Sequence, residues 1–357
     1  MKAAVYYKND DIRVEEVDDI RVAEDEIKIK VLACGVCGSD VMEWYRIKRA
    51  GRPSGIGAFG HECTGIIEEV GDEVNKKDHC KKEWKVGDRV VFTHHVPCYT
   101  CNACLSGHTT ACKTLHSTKF KNKYGAYAEY VVLPSINIDR GLFKLPDSVE
   151  FDEGTFVEPL ACVLRGQRWA EVSDGKSVLI IGAGLSGLLH LKTAILNGAG
   201  FIAMSDVNMN RLKIAQQHGA SAIIDAEKQV VPEKFTKLNK GNKADIVIMT
   251  APLEICIQQS YEAIAPGGTI LFFTSTKPDV NTKINFWDLW TQEITIRFSY
   301  GADYRDLNTA LRWIEYDRID VKSLITHTFP LSETSKGFIL TANPKEGSLK
   351  SIIHPQE

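Results

Sequence analysis

Nothing in this chain approaches the ~18 uninterrupted apolar residues of a membrane span. It has no Gly-X-Y period and no internal repeat, so neither a collagenous nor a repetitive architecture is expected. Charge of one sign is not in excess either: 43 Lys plus Arg stand against 46 Asp plus Glu, for a formal net charge of -3. That balance gives no electrostatic reason to expect DNA or RNA as a partner. The opening residues, Met1 to Val5 and then Tyr-Tyr-Lys-Asn-Asp-Asp, lack a secretory type of hydrophobic segment and read as a strand. A hydrophobic share of 44% excludes a disordered chain, and the expectation is a soluble cytoplasmic protein. Its 357 residues predict two domains and permit three.

Cysteine, by contrast, is plentiful and uneven. Four of the ten lie between Cys98 and Cys112, and Cys34, Cys37, Cys63, Cys80, Cys162 and Cys256 are scattered. A secreted disulfide scaffold is shorter and more evenly stapled, so clustered thiols point first to metal. The pattern Cys98-x2-Cys101-x2-Cys104-x7-Cys112 can wrap one tetrahedral zinc at about 2.3 Å per bond. With sulfur at all four positions no place remains for water or substrate, and the lobe is expected to be structural. An iron–sulfur cluster is the alternative. His108 and His116 stand nearby but are surplus as ligands.

Up to about residue 150 the chain is a series of short β-type runs punctuated by Gly, Pro and Asp, among them Ile27-Lys-Ile-Lys-Val-Leu and Ala126-Tyr-Ala-Glu-Tyr-Val-Val-Leu. This predicts an irregular, barrel-like β domain. From Ser177 apolar strands (Ser177-Val-Leu-Ile-Ile, Phe201-Ile-Ala-Met-Ser, Ala220-Ser-Ala-Ile-Ile, Ala244-Asp-Ile-Val-Ile-Met, Thr269-Ile-Leu-Phe-Phe) alternate with helical stretches. Such alternation predicts a parallel, doubly wound sheet, with Ile294-Thr-Ile-Arg-Phe as a sixth strand. After Tyr300 an amphipathic helix near Leu307–Tyr316 opens a tail that is expected to return to the first domain. The predicted divisions are 1–155, 156–296 and 297–357.

The first strand of the sheet runs into Gly182-Ala-Gly-Leu-Ser-Gly187, and a helix follows. In that setting Gly182 permits a tight turn, Gly184 lets the backbone approach a pyrophosphate, and Gly187 allows close helix–strand packing. The helix N-terminus, with Leu185 and Ser186, offers N–H groups to the anion. The second strand ends in Asp206, suited to the hydroxyls of an adenosine ribose. A 2′-phosphate at ~6 Å from that carboxylate meets roughly 3 kcal/mol of repulsion per charge at an effective dielectric of ~20, so NAD is expected rather than NADP. An arginine nearby, Arg211, could accept a 2′-phosphate, but with Asp206 present it is read as packing on the adenine side.

A second metal constellation is spread along the chain. Cys34-Gly-Val-Cys37-Gly-Ser-Asp40 follows a strand, Gly60-His61-Glu62-Cys63-Thr64-Gly65 comes next, and Glu158-Pro159-Leu160 stands near the nucleotide domain. Cys34 and Cys37 could be a redox pair, but a thiolate, an imidazole and carboxylates also suit a zinc that keeps an open position. With Val86-Gly-Asp-Arg-Val90, the four-cysteine lobe and the glycine loop, these segments resemble, nearly end to end, the zinc-dependent medium-chain dehydrogenases. The polyol (sorbitol) and threonine dehydrogenase branch is the most similar.

The resemblance implies a GroES-like β-barrel catalytic domain interrupted by a Rossmann domain, NAD, and two zinc ions per chain, one catalytic and one structural. Carried over by position, Cys37, His61 and Glu62 bind the catalytic zinc, with Glu158 direct or through water, and Ser39 takes the substrate proton. Asp40 orients the metal shell, and Thr250 and Phe298 join the glycine loop, Asp206 and Arg211 around the cofactor. The implied reaction oxidises a secondary alcohol by hydride transfer to the nicotinamide. One departure is Met42, where the family has a relay histidine; Glu43, His94 or His95 are candidates to replace it. The basic run Arg46-Ile-Lys48-Arg49-Ala-Gly-Arg52 would suit an anionic alcohol, although a solvated loop is the commoner reason for such a run. Sorbitol dehydrogenases tend to have arginine where Ser299 stands, so the resemblance does not single out sorbitol as the substrate. A zinc-free enone or quinone reductase would lack Cys37, His61, Glu62 and Asp206; a non-enzymatic NAD-binding protein would not need Ser39. The family assembles as homodimers or homotetramers through nucleotide domains; the apolar stretch Ile284–Leu289 could serve, with core packing as its default.

Overall fold

The computed structural model describes residues 1–45, 56–57, 60–76, 83–118, 120–121, 124–345 and 347–357. The basic run from Arg46 to Arg52 and Cys80 lie outside the described residues. Two compact units emerge, one formed by Met1–Ala161 with Gly301–Glu357 and the other by Cys162–Tyr300. The sequence places these divisions near 155 and 296. The first lies a few residues later, inside the continuous helix Val157–Ala170.

In the first unit the opening strands are β1 (Lys2–Lys8), β2 (Asp11–Glu16), β3 (Ile27–Gly35), β4 (Ile56–Gly57), β5 (Glu62–Val70), β6 (Arg89–Phe92), β7 (Tyr130–Leu133) and β8 (Leu142–Lys144). Along β3 the residues Ile27, Ile29, Val31 and Ala33 are fully buried while Lys28, Lys30 and Leu32 are half-buried, the period-two signature of a strand. β1 pairs with β2 and β4 in a three-stranded sheet.

The second unit contributes β9 (Ser177–Ile181), β10 (Phe201–Asp206), β11 (Ala222–Asp225), β12 (Ala244–Met249), β13 (Ile264–Phe272) and β14 (Thr295–Phe298). All pair in parallel, in the order β11-β10-β9-β12-β13-β14. Every residue of β9 is buried, as a strand covered by helices on both faces requires. Leu179, Ala203, Phe235, Val247 and Ile270 form the core of this unit. One expectation fails here. Ile284, Phe286 and Trp287 are 37%, 77% and 66% exposed, so the stretch is not core. It forms the short helix Phe286–Thr291, which buries none of its side chains.

The tail then returns. Asp303 caps the helix Tyr304–Glu315 by accepting hydrogen bonds from the N–H groups of Arg305 and Asp306, and Leu307, Ala310, Leu311 and Ile314 bury one face of it. β15 (Ile325–Pro330) and β16 (Lys350–His354) join the larger sheet in the order β15-β16-β3-β5-β6-β8, with β7 also on β3. Leu331, Phe338 and Ile353 of the tail share one apolar core with Tyr6, Ile29, Phe92 and Tyr127. No described helix is long and apolar enough to cross a membrane.

Candidate active site

Strand register assembles the mixed-ligand set. β3 and β5 run antiparallel with Gly35 opposite Glu62 and Cys34 opposite Cys63. Cys37, just past the end of β3, therefore meets His61, just before the start of β5. The ligand atoms of Cys37, His61 and Glu62 lie within 4.8 Å of one another, and His61 and Glu62 are buried. Asp40 Oδ1 faces His61 Nδ1 at 3.5 Å, which leaves Nε2 for a metal. Asp40 Oδ2 accepts from the Cys37 N–H at 3.1 Å and from the Tyr127 hydroxyl at 2.8 Å. Burial pulls His61 toward the neutral form, but Asp40 and Cys37 outweigh it and hold the imidazole well above its usual value. Burial pushes the Cys37 thiol up, reinforced by Glu62. A cation here would satisfy a sulfur, an imidazole nitrogen and a carboxylate together, and the donor set suits zinc.

Two members of this site were not visible in the sequence. Lys350, at the start of β16, is completely buried and forms an ion pair with Glu62 Oε2. Its ammonium lies 3.4 Å from the Val36 carbonyl and 5.7 Å from the centre of the Phe156 ring. Gly35 makes room for this pair, since a Cβ there would come within 2.6 Å of Lys350 Cε. Tyr127 is the other, buried beneath Asp40. A lysine heading an apolar strand at the far end of the chain carries no spacing signal. Tyr127 carried only the alternation of its strand-like run.

The remaining candidates divide. Ser39 donates to Cys37 Sγ at 3.3 Å. The His94 and His95 rings lie 5.6 and 6.5 Å from the His61 ring. Glu43 is exposed and its carboxylate lies 3.5 Å from the Asn9 N–H. Glu158, in the first turn of Val157–Ala170, lies outside the close ligand set.

In the cysteine lobe the sulfurs of Cys98, Cys101, Cys104 and Cys112 again lie within 4.8 Å of one another. Hydrogen bonds from Thr100 and from the Cys101 N–H lower Cys98 to about 5, while burial pushes Cys104 up to about 12. Four convergent sulfurs, one already favouring the thiolate, fit a tetrahedral metal. His108 and His116 are exposed and outside the set. The lobe is tied to the returning tail: Thr109 Oγ1 donates to Asp303 Oδ2 at 2.7 Å, and Tyr304 N–H to the Tyr99 hydroxyl at 2.9 Å. None of the nine described cysteines is in a disulfide.

In the second unit Gly182 has φ +107°, and a Cβ on it would sit 2.5 Å from Thr250 Oγ1. Thr250 in turn donates toward the carbonyls of Ile181 and Gly182, at 3.0 and 3.2 Å. A Cβ on Gly187 would collide with the Gly182 carbonyl, whereas one on Gly184 would meet only Arg211 Nη1 at 3.8 Å. The open face of Gly184, at the start of the helix Leu185–Leu196, is thus a cradle into which a ligand fits. Asp206 closes β10, its oxygens accepting from the N–H groups of Ala183 at 2.7 Å and Asn208 at 2.8 Å. Arg211 Nε is buried without a protein acceptor among the described residues. Phe298 is 71% exposed and stacks on Phe272 with centroids 5.3 Å apart.

Two family models match the chain, the alcohol dehydrogenase GroES-like domain over residues 23–147 and the zinc-binding dehydrogenase over residues 187–316. The uncharacterised zinc-type alcohol dehydrogenase-like protein YdjJ of Escherichia coli is 32% identical over 335 residues, 92% of each chain. The chain belongs to the zinc-type alcohol dehydrogenases. Within this family of medium-chain dehydrogenases it falls in the polyol branch: the sorbitol dehydrogenase of Bacillus subtilis is 28% identical over 99% of this chain and 97% of that protein. A zinc-binding dehydrogenase of Sinorhizobium meliloti with NADP bound superposes with a TM-score of 0.85 at 26% identity, covering 99% of both chains. The two units of this zinc-type alcohol dehydrogenase are accordingly a GroES-like domain and a Rossmann-type parallel sheet.

Proposed function

We propose that this dehydrogenase oxidises a secondary alcohol, a polyol, sugar alcohol or hydroxylated acid, to the ketone with NAD as hydride acceptor. The observation that carries the reading is the convergence of Cys37, His61 and Glu62 over Asp40. These three residues would hold a catalytic zinc, with Glu158 as the remaining candidate ligand, and Cys98, Cys101, Cys104 and Cys112 a structural one. When bound, the catalytic ion supplies Lewis-acid polarisation of an alcohol oxygen. Ser39, beside Cys37, takes the hydroxyl proton. Met42 cannot pass it on, and His94 and His95 are the candidates that lie beside His61. Asp40 fixes the His61 ring, and Lys350 balances Glu62.

In the nucleotide unit Gly182, Gly184, Leu185, Ser186 and Gly187 receive the pyrophosphate, Thr250 braces the turn, and Phe298 flanks the cofactor. The Asp206 carboxylate accepts the ribose hydroxyls and disfavours a 2′-phosphate. Arg211, whose buried Nε has no protein acceptor among the described residues, is assigned to the adenosine side. The exposed Phe286, Trp287 and Trp290 beside the edge strand β14 support assembly as a homodimer or homotetramer.

The test is a screen of NAD and NADP reduction over polyols, threonine and sugar-alcohol phosphates, with zinc analysis of the same protein. Two zinc ions per chain and NAD reduction by at least one secondary alcohol are expected. One zinc per chain, or no turnover with any secondary alcohol, refutes the reading.

A further inference from the structure

We infer that Tyr127 is a positioning residue for the metal-ligand histidine, acting through Asp40. This rests on the reading that Cys37, His61 and Glu62 hold a metal. The backbone of Tyr127 is anchored, its carbonyl accepting the Ala4 N–H at 2.8 Å and the next residue bridging to Ala3. Its ring packs edge-on against Phe338, with centroids 5.4 Å apart, and Phe338 is backed by Tyr6 at 6.4 Å. The side chain has no exposed surface, so the ring cannot swing away. Held in this way, the hydroxyl reaches two acceptors, Asp40 Oδ2 at 2.8 Å and the Gly35 carbonyl at 2.9 Å. It has one proton to give, and a carboxylate is the stronger acceptor.

The geometry at Asp40 explains what that bond does. Oδ2 takes two donors, the Tyr127 hydroxyl and the Cys37 N–H, which together set the plane of the carboxylate. The other oxygen is thereby aimed at His61 Nδ1, 3.5 Å away. Outer partners of this kind fix the tautomer and ring orientation of a metal-bound histidine, and losing one typically lowers metal affinity 10- to 100-fold. Tyr127 stands one step further out, and the Cys37 N–H remains when it is removed. Its loss should therefore be smaller. A hydroxyl that merely satisfies a buried carboxylate would affect stability and leave metal binding alone.

The experiment is competition for zinc between the full-length protein and a chromophoric chelator, with the four-cysteine lobe as internal reference. Tyr127→Phe keeps the ring and is expected to lower affinity at the Cys37–His61–Glu62 site about three- to tenfold, below the outer-partner range. The reference site should not move. Asp40→Asn should lose about 10- to 100-fold, and the double variant should be no worse than Asp40→Asn alone, because the two act in one chain. Unchanged affinity in Tyr127→Phe, equal weakening of both sites, or additive losses would overturn the proposal. Should Tyr127→Phe not fold, Phe338→Leu, which keeps the hydroxyl but unpacks the ring that aims it, gives the same comparison: selective weakening supports the role and unchanged affinity overturns it. Wild-type protein that binds zinc only in the cysteine lobe would instead refute the metal reading itself.

Discussion

Replacing Lys350 by methionine removes a charge while keeping most of the side-chain volume. In the folded chain both partners are sealed from water, Lys350 at 0% and Glu62 at 1% exposure. Burial works against the ammonium, but Glu62 and then Cys37 outweigh it and raise its pKa. Taking one partner from a buried pair leaves the other without a countercharge and costs about 3–5 kcal/mol. For a unit of this size that corresponds to a fall of roughly 6–20 °C in the melting temperature. The assay is thermal unfolding of zinc-stripped and zinc-replete protein. We expect the full loss in Lys350→Met without metal and a smaller one with it, because a cation beside Glu62 restores positive charge. The double variant Lys350→Met with Glu62→Gln should recover most of the stability, since neither charge is then stranded. A melting temperature within 2 °C of wild type for metal-free Lys350→Met, or no recovery in the double variant, would refute the argument.

Other expectations follow from the two units. Asp206→Ser removes the repulsion, worth roughly 3 kcal/mol, that a 2′-phosphate would meet, and should move the ratio of kcat/KM for NAD over NADP by about 100-fold toward NADP; an unchanged ratio would show that Asp206 does not read the ribose. His354 lies 2.8 Å from Asp152 Oδ1, and its pKa is raised, through the hydrogen bond to Asp152 first, against burial. A raised folded value means that this pair stabilises the protein fully below the unfolded value of about 6.5 and loses that contribution as pH climbs through the folded value. Denaturant titrations should show Asp152→Asn costing up to about 1 kcal/mol at pH 5.5, and a cost that persists undiminished at pH 9 would contradict this. Trp290→Glu, on a side chain 73% exposed, should shift sedimentation toward the monomer without lowering the melting temperature of either unit; unchanged sedimentation would place the contact elsewhere.

Much of the architecture was legible because it is written in local periodicity. The strand-then-glycine-loop pattern from Ser177 to Gly187 needs no distant partner to be recognised, and the parallel sheet follows from repetition of that rhythm. The cysteine lobe is legible for a similar reason, its four cysteines lying within one short segment. Cys37, His61 and Glu62 were found as motifs, but their proximity depends on the pairing of Gly35 with Glu62, a register that spacing alone does not fix. Lys350 and Tyr127 were missed because their roles arise only when β16 and the segment before β7 are laid against β3. The surface position of Phe286 and Trp287 was also unreadable, since hydrophobicity does not say whether the covering layer comes from the same chain.

The place of β16 in the larger sheet has a consequence for biosynthesis. It lies between β15 and β3, and the lysine it carries is made 288 positions after the glutamate it neutralises. A ribosome therefore releases the opening β segment, and then the whole Cys162–Tyr300 unit, before the countercharge for Glu62 exists. Until β16 is laid against β3, the emerging polypeptide carries Glu62 without its buried partner. Completion of the first unit is in this way delayed until the whole of the second has been made, and the parallel sheet has time to form first.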